Sequence, residues 1–273
     1  MTTLLPWAGT AEMIRRVSSA KGRQQTGLYS IEGTRLVERA LRAGAPLVAA
    51  LVAEGFVRGG SERAGGLLAD LRDACPVVVA PDALVAELTE GRDLGPVLAL
   101  VRLPVQPALE EVIAAAAMTP PTLLVALDIV DPGNVGALTR TAHASGAAAL
   151  LTTGASDAFH PRATRISRGS VFKLPIIHYE TAAALLDDLE RHQVATVGMV
   201  AAGGTLLAAA EFPARPLAVL MGNEARGLPA EVQRRLDHTV TIPMPDGVDS
   251  YSVNAAAAIM SYELLRRRAT GMS

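Results

Sequence analysis

Apolar runs of three to seven residues that end in turn residues alternate along this chain with Ala/Leu-rich stretches of helical character, the pattern of an α/β protein. Strands are predicted at Leu47 to Val52, Val77 to Val79, Val97 to Val101, Leu123 to Leu127, Ala148 to Leu151, Val194 to Val200, Leu217 to Met221 and Thr239 to Ile242. Pro104, Pro107, Pro120 and Pro121 bracket one short predicted helix, Ala108 to Met118, because proline resists continuation of either regular element. The pattern divides the chain into a first domain, 1–104, a linker, 105–121, and a second domain, 122–273. Beyond alanine richness there is no internal repeat, heptad or low-complexity tract.

A chain of 273 residues is long enough for two cores. Half of it is hydrophobic, yet no uninterrupted apolar run approaches the roughly 20 residues that span a bilayer. Met1 to Arg16 lacks the basic, apolar and cleavage-site order of a signal peptide, so a soluble, cytoplasmic protein is expected. The single cysteine, Cys75, excludes an internal disulfide and a multi-cysteine zinc site, and reads as a small buried hydrophobe.

The formal net charge of −2 argues against nonspecific coating of nucleic acid. Local charge is a different matter, since seven basic residues face three acidic ones through Arg42. Only Lys21 and Lys173 are lysines. The other 23 basic residues are arginine, a preference that suits bidentate phosphate contacts and that codon bias explains equally well.

Three polar clusters follow strands of the second domain. The first runs from Asp131-Pro132-Gly133-Asn134 to Arg140-Thr141-Ala142, with a turn at Pro132-Gly133, a cap at Asn134 and a helix after it. Arg140 lies nearly two helical turns beyond Asn134, so both can face one side and grip a phosphate or ribose. An ordinary capped helix with a surface arginine fits the same spacing. The second cluster, Leu220-Met221-Gly222-Asn223-Glu224-Ala225-Arg226-Gly227-Leu228-Pro229, allows close backbone approach at its glycines. Alone it reads as a common turn with a solvated Glu224–Arg226 pair. The third, Thr241 to Pro245 and then Asp249 to Asn254, enters a helical run from Ala255 to Arg268. Arg266 to Arg268 suit the negative end of that helix.

In this order and spacing the clusters resemble the three motifs of the SpoU/TrmH group of RNA ribose methyltransferases, within the SPOUT superfamily, over about Leu123 to Arg268. Ser19 to Arg23 and Gly27 to Gly33 resemble that family's N-terminal substrate-binding domain, similar in fold to certain ribosomal proteins. The resemblance implies a ribosomal-protein-like α/β RNA-binding domain followed by an α/β trefoil-knot domain, a rare exception to unknotted chains. It implies S-adenosylmethionine as methyl donor, no metal, an RNA substrate (rRNA or tRNA), and a homodimer formed through the knotted domains.

By residue match, Asn134, Arg140, Glu224 and Ser250 take the family's catalytic positions, joined by Ser252. The donor falls to Leu220, Met221, Gly222, Ile242, Met244, Ser250, Tyr251 and Ser252. Because a guanidinium stays protonated, Arg140 is expected to fix a phosphate and stabilise developing alkoxide. RNA contacts are expected from Lys21 and Arg23, and from Arg162, Arg165 and Arg168, which recur every three residues as a ridge on a short helix. His160 before them reads as a turn residue. One departure stands out, because the family's S-L-N-V-S reads Ser250-Tyr251-Ser252-Val253-Asn254 here. If Val253 begins the helix, a two-residue step of about 200° turns Asn254 away and leaves Ser252 at the family's amide position. That departure keeps open an alternative, a knotted RNA-binding protein with weak or no methyl transfer.

Overall fold

The structure, a computed structural model, describes residues 6–91 and 95–270. The expected domain ends at 1–5 and 271–273 lie outside the described residues. Helices are α1 Ala8–Val17, α2 Ala20–Thr26, α3 Thr34–Arg42, α4 Glu54–Arg58, α5 Glu62–Ala74, α6 Asp82–Leu88, α7 Leu109–Ala114, α8 Pro132–Ala144, α9 Pro161–Ile166, α10 Ala182–Arg191, α11 Ala230–Gln233 and α12 Val253–Thr270. Strands are β1 Leu28–Glu32, β2 Leu47–Ala53, β3 Val77–Ala80, β4 Val97–Arg102, β5 Thr122–Leu127, β6 Ala149–Thr153, β7 Ile176–Tyr179, β8 Ala195–Met199, β9 Thr205–Leu206, β10 Leu217–Met221 and β11 His238–Thr241. They form two compact units, Met1–Val105 with Phe159–Phe172, and Gln106–Ala158 with Lys173–Ser273.

In the first unit the sheet order is β1-β4-β2-β3, with β4 antiparallel to both its neighbours and β3 parallel to β2. Side chains alternate across a strand, and β4 serves two cores in this way: Val97, Ala99 and Val101 pack with Ile31, Val52 and Leu71, while Leu98 and Leu100 pack with Ala11, Ile14 and Leu51. Cys75 is buried in the first of these, and burial pushes its thiol pKa up. Strand β1 was not expected, because Ser30 and Glu32 interrupt the apolar run by which the other strands are read. Those positions are nonetheless buried, with Glu32 paired to Arg165 of α9 at 2.9 Å. Phe159 sets its ring 5.1 Å from that of Tyr29.

The second unit holds a seven-stranded sheet, order β7-β6-β5-β10-β8-β11-β9, in which each neighbouring pair is parallel. Its core gathers Leu123, Val125, Leu151, Ile177, Leu185 and Leu220. The segment expected as a linker contributes to it: Gln106 exchanges two hydrogen bonds with the His178 backbone, and Leu109 and Val112 of α7 are buried in the core. Helix α12 packs beside α8. Its terminal arginines make specific contacts as well as suiting the helix dipole. Arg267 is buried, donates to the Leu207 and Ala210 carbonyls and lies over the Phe212 ring. Arg268 donates to the Pro120 carbonyl and to Thr122 Oγ1. Arg266 and Arg267 together hold the Glu263 carboxyl down at about 2.

Candidate active site

Because β5, β10 and β8 are parallel and in register, with Met221 opposite Ala126 and Leu220 opposite Gly198, their carboxyl ends open on one edge. Crevices at such edges are where α/β sheets bind ligands. A cleft of about 480 Å³ lies there, lined by Met221, Gly222, Ile242, Met244, Ser250 and Tyr251 among the residues expected to hold a donor. Two expected residues do not line it. Leu220 is fully buried in the strand, and Ser252 sits outside the lining. Met199 to Ala202, at the end of β8, line it unexpectedly. The volume falls in the ordinary range for a small-molecule site, roughly 300–1,000 Å³. Met199, Met221, Ile242 and Met244 give it apolar, polarisable walls. Those walls suit a flat heteroaromatic ring and a sulfur-borne methyl.

Each cluster folds for a local reason. The cap of α8 is Asp131 rather than Asn134: its Oδ1 accepts from the backbone N–H of Gly133 and Asn134, with Pro132 in the first turn. Asn134 is therefore inside the helix, and its carboxamide is available for other contacts. At the second cluster, Asn223 organises the turn by accepting from Ala225 N–H and Arg226 N–H and donating to the Asp128 carbonyl. A Cβ on Gly222 would stand 2.4 Å from the Gly227 carbonyl carbon, so the crossing requires glycine. The expected Glu224–Arg226 pair is not formed. Arg226 pairs with Asp128 at 3.0 Å, and Glu224 turns the other way.

Glu224 accepts from Asn134 Nδ2 at 2.9 Å and, at 3.3 and 3.4 Å, from the backbone N–H groups of Val130 and Asp131. Partial burial pushes its pKa up, but these hydrogen bonds to the charged form outweigh that, and the net shift is downward. It is a carboxylate at neutral pH. Asn254 closes the group by donating Nδ2–H to Asn134 Oδ1 at 2.9 Å.

That contact corrects the expected roles of Ser252 and Asn254. Ser252 precedes the helix as its cap: its carbonyl accepts from Ala256 N–H and its Oγ from Ala255 N–H at 3.3 Å. The 200° rotation applies between helical residues and so does not relate the cap to Asn254. Asn254, in the first turn, faces Asn134. Arg140 is exposed and makes no hydrogen bond or ion pair among the described residues.

The expected RNA residues divide in two. Lys21, Arg162 and Arg168 are exposed. Arg23 is 4% exposed and donates to the Val17 and Ser18 carbonyls, tying the end of α1, while Arg165 is engaged by Glu32. No single-faced ridge forms, because α9 ends at Ile166 and Arg168 adopts φ +54° beyond it. His160 caps α9, its Nδ1 accepting from Arg162 N–H.

Residues 121–262 match the SpoU rRNA Methylase family, and residues 12–93 the MRM3-like substrate binding domain. The chain is 31% identical over 261 residues to the 23S rRNA (uridine(2479)-2′-O)-methyltransferase of Streptomyces viridochromogenes, covering 91% of this chain and 86% of that protein. It is 27% identical over 252 residues to the 23S rRNA (guanosine(2553)-2′-O)-methyltransferase RlmP of Bacillus subtilis, covering 92% and 93%. Among solved structures, the SpoU methyltransferase AviRb from Streptomyces viridochromogenes in complex with AdoMet is similar with a TM-score of 0.85 and 26% identity, over 96% of this chain and 98% of that one. With the second and third clusters lining one cleft, the first joined to both through Asn134, and these likenesses running nearly the length of the chain, the chain belongs to the SpoU rRNA methylase family.

Proposed function

We propose that this chain transfers the methyl group of S-adenosylmethionine to a ribose 2′-hydroxyl of ribosomal RNA. The observation that carries the reading is the cleft at the strand ends, with the carboxylate of Glu224 both on its lining and joined to Asn134 and, through Asn134, to Asn254. Bound there, the donor supplies a methyl already made electrophilic by its sulfonium. Met221, Ile242, Met244, Ser250 and Tyr251 hold it together with the backbone at Gly222, and water is kept from the apolar wall. The protein's remaining task is to aim and activate a weak nucleophile.

Arg140, which has no partner to release among the described residues, engages a backbone phosphate and stabilises the alkoxide as it develops. A guanidinium cannot accept the hydroxyl proton, so that proton leaves to phosphate or water. Ionised Glu224 keeps the Asn134 carboxamide oriented. Lys21, Arg162 and Arg168 supply exposed charge for RNA capture. The reading includes a trefoil knot in the last third of the chain, supported by the placement of β10 between the earlier strands β5 and β8, and pairing of two such domains in a dimer.

The test is transfer of label from S-adenosylmethionine to total RNA lacking this gene's modification, followed by mapping of the modified ribose. A new 2′-O-methyl in rRNA is expected. Label at a base overturns the ribose hydroxyl as acceptor, and donor binding with no transfer to any RNA overturns the reading and leaves an RNA-binding protein on the same fold.

A further inference from the structure

The three polar side chains beside the cleft have only one consistent arrangement of protons. Glu224 is ionised at neutral pH and can only accept. Asn134 must therefore turn its NH₂ toward Glu224 and its carbonyl toward Asn254, and Asn254 must donate. Each amide orientation follows from the one before it, so the direction of the chain is not arbitrary. The consequence falls on the other end of Asn254. Its Oδ1 is buried and has no donor among the described residues.

An unpaired buried carbonyl oxygen is unfavourable, and buried polar atoms almost always find partners. An alanine at this first-turn position would carry no such penalty and would suit the helix better. What asparagine supplies in return is the single N–H donated to Asn134. The resemblance noted in the sequence places the family's asparagine two residues earlier, where this chain has Ser252. Ser252 here caps α12, and the amide is delivered from inside the helix instead.

We propose that Asn254 is a positioning residue for methyl transfer: it fixes the Asn134 carboxamide against Glu224 from the α12 side, joining the first and third motifs through one hydrogen bond. This role rests on the proposed reaction. Without that hydrogen bond the Asn134 amide is held at one end only and is free to rotate about its side-chain torsions.

The test uses the full-length chain and two variants, Asn254→Ala and the isosteric Asn254→Asp, whose carboxylate cannot donate to Asn134 Oδ1. Single-turnover transfer to rRNA, calorimetric affinity for S-adenosylmethionine and thermal unfolding are read on the same preparations. The expected result is a fall in kcat of about tenfold or more for Asn254→Ala, and an equal or larger fall for Asn254→Asp. KM for RNA and donor affinity should stay within about twofold, with both variants folded. Wild-type kcat in either folded variant overturns the positioning role alone. A kcat loss that merely follows lost donor affinity or lost folding also overturns it. A wild-type chain that methylates no RNA overturns the reaction, and this role with it.

Discussion

Arg140 and Ser252 separate chemistry from stability at the level of single residues. Among the described residues none holds the Arg140 guanidinium, which stands exposed on α8. Arg140→Ala should therefore leave folding and donor affinity intact while lowering kcat by about 10²–10³, the effect of removing one donor to a developing oxyanion, on the order of 2–4 kcal/mol. Turnover within a few fold of wild type at saturating RNA would remove Arg140 from the mechanism. Ser252 has the opposite profile, because its hydroxyl satisfies the Ala255 N–H at the start of α12. Loss of such a cap costs about 1 kcal/mol. Ser252→Ala should show that decrease in a denaturant titration, and its kcat should fall less than that of Asn254→Ala. The sequence ranks these two residues the other way round, and the reason is physical. A motif match assigns roles by position, whereas the boundary between cap and helix decides which of two neighbouring polar side chains reaches Asn134.

Among the elements, apolar strands flanked by turn residues were readable from pattern alone: Leu217–Met221 matches its expected bounds, and seven others lie within two residues of theirs. Strands β1, β7 and β9 were not readable. In β1, Ser30 and Glu32 interrupt the apolar run, and Glu32 is buried beside a guanidinium from a distant stretch of sequence. The same pair explains why the arginine ridge fails, since charge spacing along a short helix does not reveal a partner more than a hundred residues away. At the candidate site the glycines and the strand-end cleft were legible, being fixed by local turns and by parallel topology. The Glu224–Asn134–Asn254 chain was not, because it joins three segments that only the folded sheet brings together. Arg165→Ala should therefore act on stability. It takes from the Glu32 carboxylate, 5% exposed at its side chain, the guanidinium that stands 2.9 Å away, and breaking a buried pair costs about 3–5 kcal/mol. The 23% exposure of the Arg165 side chain argues for the lower end. Equilibrium unfolding should show this loss, and Lys21→Ala, at an exposed residue of α2, should not; equal stability of the two variants would contradict the assignment.

On the scale of the whole molecule, the chain leaves the second unit after Ala158, contributes Phe159–Phe172 to the first, and returns at Lys173. Phe159 and Phe172 pack against the core built from Tyr29, Ile31 and Val101. A fragment that begins at Gln106 keeps every residue lining the strand-end cleft and the whole parallel sheet. It also keeps 159–172, but without the strands those residues pack on and without Glu32 for Arg165. Helix α9 has six residues, far fewer than the roughly 12–15 at which an isolated helix becomes even marginal in water, and in the fragment the segment loses the core that it packs on. Two expectations follow from this division. The isolated 106–273 fragment should still bind S-adenosylmethionine, read by calorimetry. Limited trypsin digestion should cut it at Arg162, Arg165, Arg168 or Lys173 much faster than the full-length chain, because exposed local order sets proteolytic access. Equal cleavage rates at these sites in fragment and full chain would mean that 159–172 draws its order from the second unit and not from the first.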